Sequence, residues 1–325
     1  KVESMRHVHR ASGIGDDLHL YDGSLSGGNV YGVRKRRSWF VSEYGFWTLG
    51  PQSWRWNELG WPPDDYQMRN WLSRLSFGPS PMSYAGLPER YPSFEAWQRA
   101  TEAYGAFLAK YQTEWMRMNR GAPFMAIRWH FFVDWWGWAG GGLLDVDRQP
   151  KATYAALQAA SRPVLVATSL PQTVVAPRAP LEFPIVGINE TRAPVRLDVE
   201  WRLRRTERSL VIGVDEEVNA RYVWSRPTPR AMVVAPFGDA GDVIASGTLS
   251  GSVAPEAVAT LGTLALAAPA DDFAGATLEL RWGDGQSNSF HVIAAPDGWF
   301  CGPGAFVVGP YAIDRFGSRP DHLTP

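Results

Sequence analysis

The sequence predicts an α/β half followed by an all-β sandwich of immunoglobulin-like type, on three observations. Twelve of the sixteen Trp fall between Trp39 and Trp138, so the two halves are built from different material. In that first stretch, strand-like apolar runs alternate with segments whose apolar residues recur at helical spacing, the order of parallel α/β packing. After Pro163 come short β-branched or alternating runs punctuated by Pro, Gly and Asn, the texture of an antiparallel sandwich.

The first strand is read at about 38 to 43, where Trp39-Phe40-Val41 runs straight into Ser42-Glu43. An irregular Trp-rich loop follows to about residue 91. A long amphipathic helix then carries Phe94, Trp97, Tyr104, Phe107, Leu108, Tyr111, Trp115 and Met118 on one side, with Ser93 as its N-cap and Gly121 as its stop. The run "PFMAIRWHFFVDWWGW" reads as a second buried strand, about 124 to 133, ending at Asp134. A second helix starts at Pro150, continues through "KATYAALQAA" and ends before Pro163. Strands of the sandwich are read in "VLVAT", "LEFPIVGIN", "VRLDVEWRLR", "DVIASGTLSGSV", "TLGTLALAAP" and "ATLELRW". The organisation expected is therefore 1–162 α/β, 163–295 sandwich, and 296–325 a Gly- and Pro-rich tail without clear periodicity.

Composition narrows the function. The chain has 325 residues, 45% apolar and 20% charged, with a net charge of -1. That balance offers no electrostatic reason to expect nucleic acid, and no run is apolar enough to suggest a membrane partner. The basic run Arg34-Lys35-Arg36-Arg37 reads as a solvated loop feeding the first strand. Cys301 is the single cysteine, which excludes an intrachain disulfide and a cysteine-built zinc site. The opening Lys1-Val2-Glu3-Ser4 says nothing about targeting.

Glu43 and Asp134 each stand at the carboxyl end of a predicted parallel strand, where α/β enzymes place catalytic side chains. Trp47 lies near the first, and Trp129, Trp135 and Trp136 near the second. Carboxylates between aromatic faces suit a sugar-cleaving site, because pyranose rings stack on aromatics while carboxylates manage an oxocarbenium-like transition state. The competing reading is that the carboxylates cap backbone ends or pair with arginines and the tryptophans fill the core.

The segment "FVSEYGFWT" resembles the strand-end motif of glycoside hydrolase family 2, in its β-mannosidase and exo-glucosaminidase branch, where Ser-Glu-Phe/Tyr-Gly carries the nucleophilic glutamate. "IGDDLHLYDG" upstream looks like that family's sixth-strand region, and the Trp129 strand like its eighth. "LLDVDRQPKATYAALQAASRPVLV" is similar to the closing helix and exit of its (β/α)₈ barrel, so the resemblance covers roughly residues 10 to 170. It implies the carboxyl-terminal part of a TIM barrel, with Glu43 as nucleophile and Trp129, Asp134, His19, Tyr21, Trp47 and Trp136 facing substrate. The reaction implied is retaining exo-hydrolysis of terminal β-linked sugars, in which two carboxyl groups about 5 to 5.5 Å apart attack and protonate. Such a displacement needs a glycoside or oligosaccharide and no cofactor or metal.

The pattern breaks at the acid/base, which in the family follows an Asn on an earlier strand. No Asn-Glu pair precedes Glu43. Asn189-Glu190 lies in the predicted sandwich, where it reads as a turn and forms a glycosylation sequon with Thr191. Asn57-Glu58 follows the nucleophile and is also out of order. A barrel takes about 250 residues, and about 160 precede the sandwich. The expectation is a carboxyl-terminal portion, inactive alone, whose partner is the missing amino-terminal half of the barrel, in the same longer chain or another. The alternative is a non-catalytic carbohydrate-binding or scaffold protein. A third reading, another hydrolase pairing Glu43 with Asp134, requires those carboxyl groups to face each other.

Other features point to structure. His130 alternates with Trp129 and so is expected to face the helices. His7 and His9 lack a third metal ligand, Gly140-Gly141-Gly142 reads as a rim loop, and no Gly-x-Ser-x-Gly elbow exists.

Overall fold

Three short strands, β1 (Asp17–Leu20), β2 (Phe40–Tyr44) and β3 (Ala126–Trp129), pair in parallel in the order β1-β2-β3. The computed structural model describes residues 17–24, 30–36, 38, 40–50, 60–64, 84–120, 126–134, 140–170, 173–213, 231–297, 299 and 304–316. Among these, β1 and β3 each have one edge without a neighbouring strand.

Helix α1 (Phe94–Met118) covers this sheet. Its start is set by Ser93, whose Oγ accepts the Ala96 amide at 3.3 Å. Trp97, Ala100, Tyr104 and Leu108 return to one face at helical spacing and are fully buried with Leu20, Val41, Tyr44 and Phe46. Each large side chain so buried contributes about 1.5–3 kcal/mol. A shorter helix, α2 (Ala152–Ala160), lies against α1.

The basic run is not a solvated loop at two of its positions. The Arg34 guanidinium lies 5.0 Å from the Trp115 ring and 5.2 Å from the Tyr31 ring, and its Nε donates to the Tyr111 hydroxyl. Arg36 grips Asp22 through two bonds of 2.7 Å. Both charges find partners on buried elements that sequence neighbours do not reveal.

The second half is a β-sandwich. One sheet runs β10 (Val243–Val253), β7 (Val195–Thr206), β12 (Gly275–Trp282), β13 (Gln286–Ala294), β5 (Val174–Val175). The facing sheet runs β11 (Ala257–Ala267), β6 (Pro180–Asn189), β4 (Val164–Thr168). Between them Phe183, Ile185, Val199, Leu278, Leu280 and Trp282 form a separate core. Inward and outward residues alternate along β7, as a half-buried antiparallel strand requires.

A third sheet joins the halves: β15 (Ala312–Arg315), β14 (Gly304–Gly309), β8 (Arg208–Gly213), β9 (Ala231–Phe237). Leu210 and Ile212 of β8 belong to the α/β core, whereas Val211 clusters with Ile293, Phe306 and Val308 on the opposite side. Residues 304–315, within the segment read as an aperiodic tail, thus form a hairpin paired to β8. Burial on both faces removes the alternation that would have marked β8 and β14.

A buried polar chain crosses the same seam. His291 on β13 meets Ser209 Oγ at 2.9 Å through Nε2 and Thr277 Oγ1 at 2.8 Å through Nδ1. Burial pushes the imidazole down to about 3, so it stays neutral.

Candidate active site

Glu43 is placed by the middle strand. Val41 and Tyr44 on either side point into the core, and the pairing register slips between them, leaving Ser42 and Glu43 at the rim. Tyr44 anchors this end from below, its hydroxyl 2.8 Å from Thr113 Oγ1 on α1. In register with β1, His19 stands opposite Glu43, and the chain turns immediately afterwards at Tyr21.

Both neighbours bind the same carboxylate oxygen. The Tyr21 hydroxyl donates to Glu43 Oε2 at 2.9 Å, and His19 Nδ1 lies 3.1 Å from it. Burial first, then the Glu43 carboxylate as acceptor and charge, hold the Tyr21 phenol far above the ordinary tyrosine range, so it remains a donor. Oε1 has no hydrogen-bond partner among the described residues, and the Glu43 side chain keeps 27% of its surface exposed. A carboxylate with one oxygen held by a tyrosine hydroxyl beside an imidazole, on a side chain that stays partly exposed, is oriented for attack or for taking a proton.

Trp47, expected to face substrate, is instead a buried wall behind Tyr21, their rings 5.9 Å apart. Phe131 and His130 pack on Trp47 at 6.1 and 6.5 Å. His130 therefore lies against this wall; β3 ends at Trp129, and strict alternation ends with it. Trp129 is opposite Tyr44 in register. Its side chain, and Trp135, Trp136, His7, His9, Asn57, Glu58 and Cys301 entirely, lie outside what the structure describes.

Asp134 is not brought to Glu43's rim. It is 4% exposed, its Oδ2 is ion-paired with Lys151, and its Oδ1 accepts the Gly142 amide at 2.7 Å. Desolvation raises this carboxyl despite the lysine, as a buried pair should. Its role as a sugar contact and the Glu43–Asp134 hydrolase reading both lose their footing, because this carboxylate is already committed inside the fold. The triple glycine follows from the same packing: a Cβ on Gly140 would come within 2.1 Å of Asp134 Oδ1, and one on Gly142 within 2.4 Å of the Asp134 amide nitrogen.

Lys151 was missed as a site-building residue, although the sequence carries a signal. A lysine at a helix start opposes the macrodipole and calls for a buried acid to explain it. Asn189 supplies no acid/base partner either. Its amide donates to the carbonyls of Ala193, Ala254 and Val253, its Oδ1 accepts from Thr191, and Glu190 pairs with Arg117 at 3.0 Å. Among the described residues no group of three His, Cys, Asp or Glu is arranged to hold a metal. The pockets of about 280 and 560 Å³ lined by described residues lie away from Glu43, beside α1 and β13 and at the β14–β15 turn.

No protein-family model and no curated protein matches the sequence. Solved structures do resemble the fold. A β-D-mannosidase from Dictyoglomus thermophilum is similar over 88% of this chain and 31% of its own, with TM-score 0.50 and 13% identity. The exo-chitosanase CsxA from Amycolatopsis orientalis, in complex with PNP-β-D-glucosamine, is similar over 85% of this chain and 30% of its own, with TM-score 0.51 and 12% identity. A structure of the exo-β-D-glucosaminidase CsxA with inhibitors covers 93% and 34%, with TM-score 0.51 and 12% identity. This chain shares a fold with part of these exo-glycosidases, including a β-sandwich, and spans about a third of their length.

Proposed function

We propose that the chain is the nucleophile-bearing portion of a retaining exo-β-glycosidase of glycoside hydrolase family 2 type. In this reading β1 to β3 are the last strands of a (β/α)₈ barrel, and the acid/base and remaining strands are supplied from outside these residues. Glu43 Oε1 attacks the anomeric carbon of a terminal β-linked sugar, with Tyr21 and His19 holding Oε2 and Trp47 backing the wall. The observation that carries it is the Glu43 carboxylate at the end of the middle parallel strand, held by the Tyr21 hydroxyl beside His19 and still partly exposed. The likeness in fold to a β-mannosidase and exo-glucosaminidases adds support, and the strands left with an open edge suit a barrel completed from elsewhere.

A dinitrophenyl 2-deoxy-2-fluoro-β-mannoside tests the assignment without an acid catalyst. Attack forms a carbon–oxygen bond to the carboxylate, and the electron pair of the broken glycosidic bond leaves with dinitrophenolate, which needs no proton. Peptide mapping is expected to find the fluorosugar on Glu43, with no label in Glu43→Gln and no turnover of ordinary aryl mannosides. Label on another residue would overturn the assignment. Binding of manno- or glucosamine oligosaccharides with no label at all would favour the non-catalytic carbohydrate-binding reading.

A further inference from the structure

At the tip of the β14–β15 hairpin the third sheet presents an aromatic ring that the fold does not use. Tyr311 is fully exposed, and it makes no hydrogen bond or ring contact among the described residues. The hairpin turns on Pro310 and Tyr311 alone, since Gly309 pairs directly with Ala312. Turns this short are usually built from Asn and Gly, so turn chemistry does not call for a tyrosine. The hairpin is closely supported: a Cβ on Gly309 would come within 2.7 Å of the Glu207 carbonyl oxygen, at the junction of β7 and β8.

Beside Tyr311 opens a pocket of about 560 Å³, within the roughly 300–1,000 Å³ of small-ligand sites. Its charged lining converges from separate elements: Arg205, Glu207 and Arg208 around the β7–β8 junction, Asp271 before β12, and Asp314 on β15. Arg208 and Asp314 pair with each other at 3.3 Å. The side chains of Arg205, Glu207 and Asp271 have no ion pair or hydrogen bond among the described residues. The turn that carries Asp271 is nonetheless tied down, its carbonyl accepting the Ala274 amide at 3.2 Å and the Phe273 amide donating to the Ala294 carbonyl at 2.7 Å.

An anion entering this pocket meets carboxylates, and a cation meets guanidinium groups. A neutral polyhydroxylated ring satisfies both, its hydroxyls donating to Glu207 and Asp271 and accepting from Arg205, while its C–H face lies on the Tyr311 ring. We propose that this hairpin and pocket form a saccharide-binding site, with Tyr311 as the stacking platform and Arg205, Glu207 and Asp271 as the hydroxyl partners. Its service to a hydrolase rests on the function proposed above; the binding itself does not.

Calorimetry of the full chain with three neutral probes, mannohexaose, cellohexaose and N-acetylchitohexaose, tests this. At least one should bind, and Tyr311→Ala should weaken it about tenfold, with the circular dichroism unchanged because the ring supports nothing. Tyr311→Phe should keep the affinity, since the ring face and not the hydroxyl carries the stacking, and Asp271→Asn with Glu207→Gln should lower it severalfold. Failure of the wild type to bind any of the three, or equal binding by Tyr311→Ala, would overturn the proposal. So would self-association that Tyr311→Ala abolishes in the absence of saccharide binding, which would give the ring to a second copy of the chain. Labelling of Glu43 by the fluorosugar is a separate readout, so either idea can fail alone.

Discussion

The α/β half and the sandwich are held together by different physics. In the first, strands of four and five residues leave open edges among the described residues, and charge pairs tie the pieces: Lys151 to Asp134 in the interior and Arg36 to Asp22 nearer the surface. In the second, strands of up to twelve residues alternate cleanly over an apolar core, and its most buried titratable group, His291, is neutral. Apolar faces can assemble a sandwich without further instruction. The first half depends on specific pairings, each of which costs heavily when one partner is lost.

The sharpest way to break this contrast is Lys151→Met. It leaves Asp134 buried without its partner, a loss of about 3–5 kcal/mol. Hydrogen exchange should show α1 and α2 losing protection while β12 and β13 retain theirs. Equal loss in both halves would mean that the seam sheet makes them one cooperative unit.

Acidity should push the halves in opposite directions. His291 is depressed to about 3, so below about 6.5 the unfolded state takes up a proton that the native state refuses. The strands around it are expected to weaken by about 1.4 kcal/mol per pH unit as pH falls through that range. Glu102 is raised to about 7, so its neighbourhood should strengthen as pH falls from 7 towards 4.5. Site-resolved exchange at pH 5 and 6.5 checks both signs, which a single global melting curve would blur.

The smallest effect belongs to the sandwich surface. Arg196 and Asp198 form an exposed pair at 3.2 Å on β7, and Arg196→Ala should leave the melting temperature unchanged. A measurable drop would show that charge matters in this half too.

Legibility in the sequence follows the same division. Helix α1 was readable because one face is apolar and Ser93 caps it; β4, β6, β7 and β10 to β12 were readable from β-branched or alternating runs and turn residues. β8 and β14 were not, since a strand buried on both sides shows no period. At the candidate site, Glu43 could be named from its strand-end motif and His19 and Tyr21 only from the family resemblance, as residues facing substrate; the parallel register that sets them on the Glu43 carboxylate has no local signature. Asp134 looked equally exposed to substrate on paper. Only the lysine folded back from the start of α2 reveals its true employment, and such a contact has no local signature.

The Asn189 turn carries a practical consequence for anyone producing the chain. Oligosaccharyltransferase acts on extended, unfolded polypeptide, and Asn189-Glu190-Thr191 is a valid acceptor in that state. Once a glycan sits on that side-chain nitrogen, it cannot enter the fully buried niche where it must meet three carbonyls. Secretion from a eukaryotic host would thus divert molecules into a form unable to close the β6 corner, whereas a bacterial cytoplasm, or Thr191→Val, would spare them.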